Sequence, residues 1–440
     1  MAGTKPVSAS RALARGPAVR AVAAGSVGNL VEWYEFGVYG FLATVLAERF
    51  FAPAGGGAEG LVRTYAAFAL AFFFRPLGAV LFGRLGDRWG RRPVLIAVIA
   101  VMTLTTTLIG VLPTYGTAGA LAPWLLTSLR AVQGLSAGGE FGGSVAVLTE
   151  FAPPGRRGLY GAWQSFTVAL GLLLGAGVAA LTATLLTGPQ LASWGWRLPF
   201  LLALPLGLVA LWLRAGLTET PSFLARTKDT EGTEDAKDAE NADARGVRLG
   251  LGVLLVAAAR VAGWAAAGYT FLVVLPSYLQ VTLHADVRQA LLSATLANAG
   301  FAAAILPAGL LSDRVGRRPV LLAGAVLVTA MSVPLLDCLQ DPGISRAVKG
   351  AALVAAGAVV GLMAGPGPAL LAETFPTRVR WTGLGLAYAL ANAVFSGCAG
   401  LIITEAVRRT GDPDIPAYYA AAACAISALA LLKQPTQKAS

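Results

Sequence analysis

The sequence predicts an all-α membrane protein of twelve transmembrane helices, arranged as two six-helix halves that repeat each other. Three observations carry this. Of 440 residues, 56% are hydrophobic and only 13% charged, about half the charged share of an ordinary soluble domain, and the mean hydropathy is +0.67. Apolar stretches long enough to span a bilayer recur along the chain. A charged thirteen-letter phrase, GRLGDRWGRRPVL (Gly83 to Leu95), returns as GLLSDRVGRRPVL (Gly309 to Leu321).

The apolar runs fall near 21–47, 64–84, 94–112, 121–150, 161–187, 195–215, 250–280, 288–311, 319–337, 348–371, 381–406 and 416–432. They divide the chain into a tail (1–20), a first half (21–216), a polar linker (217–249), a second half (250–433) and a short tail (434–440). The linker is rich in Glu, Asp, Lys and Thr and reads as a solvated connection. The net charge of +11 is spread over short loops, so it reflects positive-inside topology and not a nucleic-acid surface. Arg84, Arg88, Arg91, Arg92, Arg156, Arg157, Arg314, Arg317, Arg318, Arg378 and Arg380 all fall on the side that also holds the termini. That places both termini in the cytoplasm. The basic N-terminus precedes a long first run with charges inside it, which reads as a retained helix and not a cleaved signal.

Cys338, Cys398 and Cys424 have no CxxC spacing and His284 is the single histidine, so neither a metal site nor any cofactor is expected. No nucleophile constellation accompanies that histidine, and an enzyme is not expected.

The first run carries Glu32 and Glu35. At 3.6 residues per turn, Gly28, Glu32, Glu35 and Tyr39 share one helix face. Carboxylates inside a membrane pair with a cation or move protons. Arg75, Arg130 and Arg260 also lie within apolar runs; each needs a carboxylate, a watery cavity or an anionic ligand, since arginine keeps its charge. Arg75 and Arg260 are expected near mid-depth, level with Glu32, and Arg130 nearer the outside. The planar guanidinium suits bidentate binding of a carboxylate. The same cations also suit plain pairing with Glu32, Glu35 and Glu140 that holds helices together. The fourth run places Arg130, Gln133, Ala137, Glu140 and Ser144 on one face. Tyr39, Gln164, Tyr269, Asn298, Tyr388 and Asn392 are polar enough to line a cavity or to join helices. A substrate carboxylate competing with Glu32 for an arginine would couple its own entry to uptake of a proton.

The repeated G-x-x-x-D-R-x-G-R-R loop resembles the signature of the major facilitator superfamily. GNLVEWYEFGVYG, RAVQGLSAGGEFGGS, TETPSF and AETFPTRVRWTGLGLAYALANAVFSG, with the first loop, resemble its metabolite:proton symporter family. The resemblance covers nearly the whole chain and implies alternating access between two halves in a bacterial plasma membrane, acting as a monomer. It implies symport of protons with a carboxylate, such as 2-oxoglutarate, citrate or shikimate, or with a zwitterion, such as proline or betaine. The excess of buried arginine turns the expectation toward an organic acid, with the zwitterion as alternative. Two positions depart from the family, Glu35 where aspartate is usual and Ala389 where asparagine is usual. Osmosensing members end in a long coiled coil, which is not expected here. The fifth-helix Gly-Pro of the family's drug antiporters is absent, with Ala176 in its place, which weighs against an exporter. Expected proton-coupling residues are Glu32, Glu35 and Glu140. The loops imply a gate made by Asp87, Arg88, Arg91, Asp313, Arg314 and Arg317, with Glu150 and its counterpart pair Glu373 and Arg380.

Overall fold

The computed structural model describes residues 25–51, 57–89, 91–138, 145, 152–153, 155–216, 250–375 and 380–432. A chain in hydrocarbon must satisfy its backbone internally, and the described residues accordingly fold as helices. Helix α1 covers 25–41 and, after a break at Leu42, Ala43–Phe50. Helices α2 (Gly57–Trp89), α3 (Arg91–Val111), α4 (Leu121–Ala137), α5 (Arg157–Leu185) and α6 (Gly188–Ala215) complete the first half. The second half comprises α7 (Leu251–Val281), α8 (Val287–Val315), α9 (Arg317–Gln340), α10 (Arg346–Thr374), α11 (Thr382–Thr410) and α12 (Ile415–Leu432). Ten of these are long and apolar enough to cross a membrane by their described residues, and α1 and α4 complete the predicted set.

The repeat seen in the sequence recurs in the packing. On α4, Gly134 lies against the Ala71 carbonyl of α2, and Gly138, which caps that helix, against the Arg75 carbonyl. On α10, Gly357 and Gly361 lie in the same way against the Ala297 and Phe301 carbonyls of α8. Without a hydrophobic drive between helices in lipid, such small residues let backbones touch and gain dispersion contacts. Outward faces carry exposed apolar residues, among them Leu181, Leu185 and Leu208. Trp124 and Trp212 stand exposed near opposite ends, as interfacial aromatics do.

Two helices of the second half widen into π turns, Tyr269–Val274 in α7 and Asn392–Gly397 in α11. Such bulges often mark functional positions, and both face the molecular centre. The end of the bundle that carries the two Gly-Arg-Arg turns is called the basic end below.

Candidate functional site: a charged cluster behind an aromatic cavity

Four residues of α1 fan out to three neighbouring helices. Glu32 pairs with Arg75 of α2 at 3.4 Å, both nearly fully buried. Glu35 Oε2 accepts from the Thr106 hydroxyl of α3 at 2.8 Å. The Tyr39 hydroxyl donates to the Thr64 carbonyl of α2 at 3.1 Å, and Gly28 lies against Arg214 of α6. The shared helix face therefore reads into the core of the first half.

Arg130 is fully buried. Its Nη1 donates to Gln133 Oε1 at 2.8 Å, Gln133 Nε2 donates to Thr106 Oγ1 at 2.7 Å, and Thr106 reaches Glu35. Arg130 and Glu35, on different helices, are thus joined by a short polar chain. Oε1 of Glu35 and Nε and Nη2 of Arg130 are buried without a hydrogen-bond partner. The Arg130 guanidinium instead lies 4.3 Å from the centre of the Tyr39 ring, 4.8 Å from Phe68 and 4.9 Å from Phe36. Arg75 lies 4.4 Å from both Phe36 and Phe72. Desolvated cation–π contacts contribute about 2 kcal/mol each, which lets an arginine be buried with less than a full set of hydrogen bonds. The expectation that each membrane arginine needs a carboxylate, water or an anion left out this aromatic solution. Phe36, Phe68 and Phe72 are its missed residues; the run FALAFFFRP in the sequence was its only signal.

A cavity of about 40 Å³ lies between the halves. Trp33, Ser165 and Leu172 of the first half face Trp264, Tyr269, Phe301, Tyr388, Asn392 and Ser396 of the second. Its walls are chiefly aromatic: Trp33 meets Tyr269 at 6.4 Å and Trp264 meets Tyr388 at 5.8 Å between ring centres. The Asn392 amide donates to the Tyr388 carbonyl at 2.9 Å and accepts from Ser396 at 2.9 Å. Of the residues expected to line a polar cavity, Tyr269, Tyr388 and Asn392 do so.

The others stand elsewhere. Gln164 and Asn29 bond each other at 3.0 Å, joining α5 to α1. The Asn298 amide donates to the Leu272 and Ala294 carbonyls. Tyr39, Arg75 and Arg130 lie behind the aromatic wall, as do Glu32 and Glu35. Trp33 connects the two layers, since it lines the cavity and its ring lies 5.4 Å from the Arg75 guanidinium. Arg260 departs from its expected depth. Its Nη1 donates at 3.3 Å to Thr374, the last residue of α10, so it lies toward the basic end and not level with Glu32. Counting residues along a helix fixes depth only if spans start at the same height.

Among the described residues, the halves touch on both sides of the cavity. At the basic end, Asp313 of α8 accepts from the backbone N–H groups of Gly158 and Leu159 at 2.8 and 2.9 Å. These lie in the first turn of α5, where free N–H groups and the helix dipole favour an anion. Arg317 holds Asp313 at 2.7 Å and reaches Glu373 at 3.4 Å, while Arg314 is exposed. Arg380 donates to the Phe375 carbonyl at 3.4 Å. In the first half Arg88 is exposed; the side chains of Asp87 and Arg91, and the whole of Glu140 and Glu150, lie outside the described residues. About two turns further in, the Ser165 hydroxyl donates to the Ala364 carbonyl at 2.7 Å. At the opposite end, Tyr65 of α2 meets Ser277 of α7 at 2.7 Å, and Thr44 donates to Gln280 at 2.9 Å. The halves therefore meet on both sides of the cavity.

Comparison with known proteins accords with this architecture. The family described as Sugar (and other) transporter matches residues 21–246, and that described as Major Facilitator Superfamily matches 249–440. The glycine betaine/proline/ectoine/pipecolic acid transporter OusA of Dickeya dadantii is 35% identical over 414 residues, covering 91% of this chain and 80% of that protein. The alpha-ketoglutarate permease of Escherichia coli is 37% identical over 385 residues, covering 86% of this chain and 85% of that one. Among solved structures, a partially occluded inward-open conformation of the xylose transporter XylE from E. coli superposes with a TM-score of 0.74 at 20% identity. It covers 95% of this chain and 97% of that one, a likeness of fold.

Proposed function

Since the chain belongs to the major facilitator superfamily, as a metabolite:proton symporter, we propose that it takes up a small zwitterion of the betaine or proline type together with protons, by alternating access. The basic end is taken as cytoplasmic, with both termini on that side, in keeping with the distribution of arginine and lysine. The observation that carries the reading is the cavity wall. Trp33, Trp264, Tyr269 and Tyr388 line the cavity with aromatic rings, the chemistry that recognises a quaternary or secondary ammonium. Arg75 lies just behind Trp33, within reach of a carboxylate once that ring turns aside. A molecule with an ammonium at one end and a carboxylate at the other satisfies both layers. A purely anionic acid would leave the aromatic wall without a role. The relatives named for betaine and proline point the same way, and for this reason the zwitterion replaces the organic acid as first reading.

Glu32 and Glu35 are the proton sites of this scheme. A substrate carboxylate drawn to Arg75 would compete with Glu32, and a protonated Glu32 gives up the contact without stranding a buried charge. Glu35 reports to Arg130 through Thr106 and Gln133, so the loss of one charge alters the surroundings of the other. Arg260, near the basic end, is placed to meet a substrate leaving the cavity and not to anchor it at the centre. Work as a monomer is part of the same reading.

The test is uptake of labelled glycine betaine, proline and 2-oxoglutarate by cells lacking their own carriers, with external pH followed in weak buffer. Accumulation of a zwitterion with alkalinisation supports the proposal. Uptake of 2-oxoglutarate alone would return the reading to an organic acid, which the permease relative and the buried arginines favour.

A further inference from the structure

Glu32 faces a second cation besides Arg75. Arg214 stands in the last turn of α6 and is 3% exposed. Long basic side chains at a helix end ordinarily snorkel to water, whereas this one turns inward. Its Nη1 donates to the Leu95 carbonyl of α3 at 3.2 Å. Gly28 of α1 makes room for it: a Cβ at that position would sit 2.8 Å from Cζ and 3.1 Å from Nε of the guanidinium. Gly28 and Glu32 are one helical turn apart on the same face, so Arg214 lies one turn from Glu32 toward the basic end. The two charges attract each other, as Glu32 and Arg75 do. The other charged or titratable groups acting on this region are Glu35 on α1, Tyr269 on α7 and Tyr388 on α11. Glu32 thus lies between two fixed cations, one at the level of the cavity and one on the way out.

We propose that Arg214 is the release-side partner of Glu32, holding its carboxylate after the proton has left toward the cytoplasm and while Arg75 is occupied by substrate. This rests on the proton-coupled reading above. A buried carboxylate freed from Arg75 with no second cation nearby would be costly, and the carrier would keep its proton. With Arg214 one turn away, discharge of the proton is offset by a new attraction. Gly28 is needed because any side chain there would push the guanidinium off this line. Arg214 is a positioning residue for the proton and is not among the residues that line the cavity.

The test separates proton release from substrate movement in liposomes holding the purified protein. Exchange of labelled for unlabelled glycine betaine at equal pH requires no release, because the loaded, protonated carrier shuttles to and fro. Accumulation driven by a pH gradient requires it on every turn. In Arg214→Gln, exchange is expected to stay within about twofold of wild type while accumulation falls tenfold or more. Arg214→Lys should recover much of the loss, and Gly28→Ala should reproduce it with all charges present. A parallel fall in exchange and accumulation, or no change in either, overturns the proposal. If wild-type liposomes do not exchange glycine betaine, the substrate reading fails and Arg214 is judged without substrate. The Glu32 carboxyl band in infrared difference spectra, assigned by its loss in Glu32→Gln, must then change in Arg214→Gln, and an unaltered band refutes the role.

Discussion

Asp313→Asn tests how strongly the basic end is held shut. Only contacts that break when the halves part contribute to the balance. The pair between Asp313 and Arg317 joins neighbouring residues of α8 and α9, and that between Arg317 and Glu373 also lies within the second half, so both persist when the gate opens. What is lost on opening is the pair of N–H bonds from Gly158 and Leu159 to the Asp313 carboxylate. A hydrogen bond to a charged acceptor contributes about 1.5–3 kcal/mol net. Asparagine keeps one acceptor oxygen without its charge and turns an amide N–H₂ toward the other donor. One bond is therefore lost and the second weakened, about 2–3 kcal/mol in all, which is roughly a 30- to 150-fold shift toward the open gate. The shift is read with a cysteine at Ser165, which bonds across the closed halves, after Cys338, Cys398 and Cys424 are replaced. In inside-out vesicles, an impermeant thiol reagent should label Ser165→Cys at least tenfold faster in the Asp313→Asn background. Labelling within twofold of the parent, in protein of unchanged thermal stability, would refute the assignment of this contact as the latch.

Three further outcomes follow from the same geometry. Glu32→Gln leaves Arg75 buried without its carboxylate and should cost about 3 kcal/mol, somewhat less than a fully uncompensated charge because Phe36 and Phe72 remain. Adding Arg75→Gln should restore stability in a detergent unfolding assay while uptake stays absent; continued instability of the double variant would mean that the pair does not set the loss. Trp264→Leu should raise the KM for glycine betaine about tenfold, since one desolvated cation–π contact is about 1–2 kcal/mol. The tert-butyl analogue of betaine, which lacks the ammonium charge, should compete equally with both proteins, and equal loss for the two ligands would show that only apolar contact was removed. Gln133→Leu cuts the chain from Arg130 to Glu35 and strands one Arg130 donor, while the Thr106 hydroxyl keeps Glu35 and the Met102 carbonyl. Proton movement per substrate, measured with an entrapped pH dye, should fall below that of wild type, and an unchanged ratio would exclude the chain from coupling.

The bundle was legible because membrane burial imposes itself on composition over spans of about 20 residues, and the doubled DR-x-GRR phrase survives as letters. The Glu32–Arg75 pair followed from the same logic: two opposite charges at matched depth have few other ways to be stable. The aromatic cavity was harder to read. Trp33, Trp264 and Phe301 are apolar residues in an apolar chain, and nothing in their spacing separates a cavity wall from lipid-facing or packing positions. Arg214 was hidden for the opposite reason, because a cation at the end of a spanning run looks like a topology signal until its direction is known. Arg260 shows the limit of depth by counting, since its partner Thr374 lies at the end of α10.

The division of labour between the halves follows from these placements. Among the described residues, five of the six buried charges, Glu32, Glu35, Arg75, Arg130 and Arg214, belong to the first half and only Arg260 to the second, whereas the cavity wall draws most of its residues from the second. A rigid charged core suits coupling, because in a dry interior removing one partner of a buried pair costs about 3–5 kcal/mol and the pair resists being pulled apart. In the second half, two of the three helices that line the cavity, α7 and α11, carry π turns at the cavity itself, where the regular hydrogen-bond ladder is already broken; the π turn of the first half, Leu191–Gly195 in α6, lies away from it. Substrate binding at the shared wall therefore acts first on the pliable side. The signal returns to the charged side through Trp33, a wall residue whose ring also lies against Arg75. A replacement at Trp33 that keeps volume but not the π face, such as Trp33→Leu, should then impair coupling more than binding, whereas Trp264→Leu should do the reverse. The KM for glycine betaine and the proton-to-substrate ratio, measured in the same liposomes, distinguish the two. Equal effects of both variants on both quantities would show that Trp33 is wall alone.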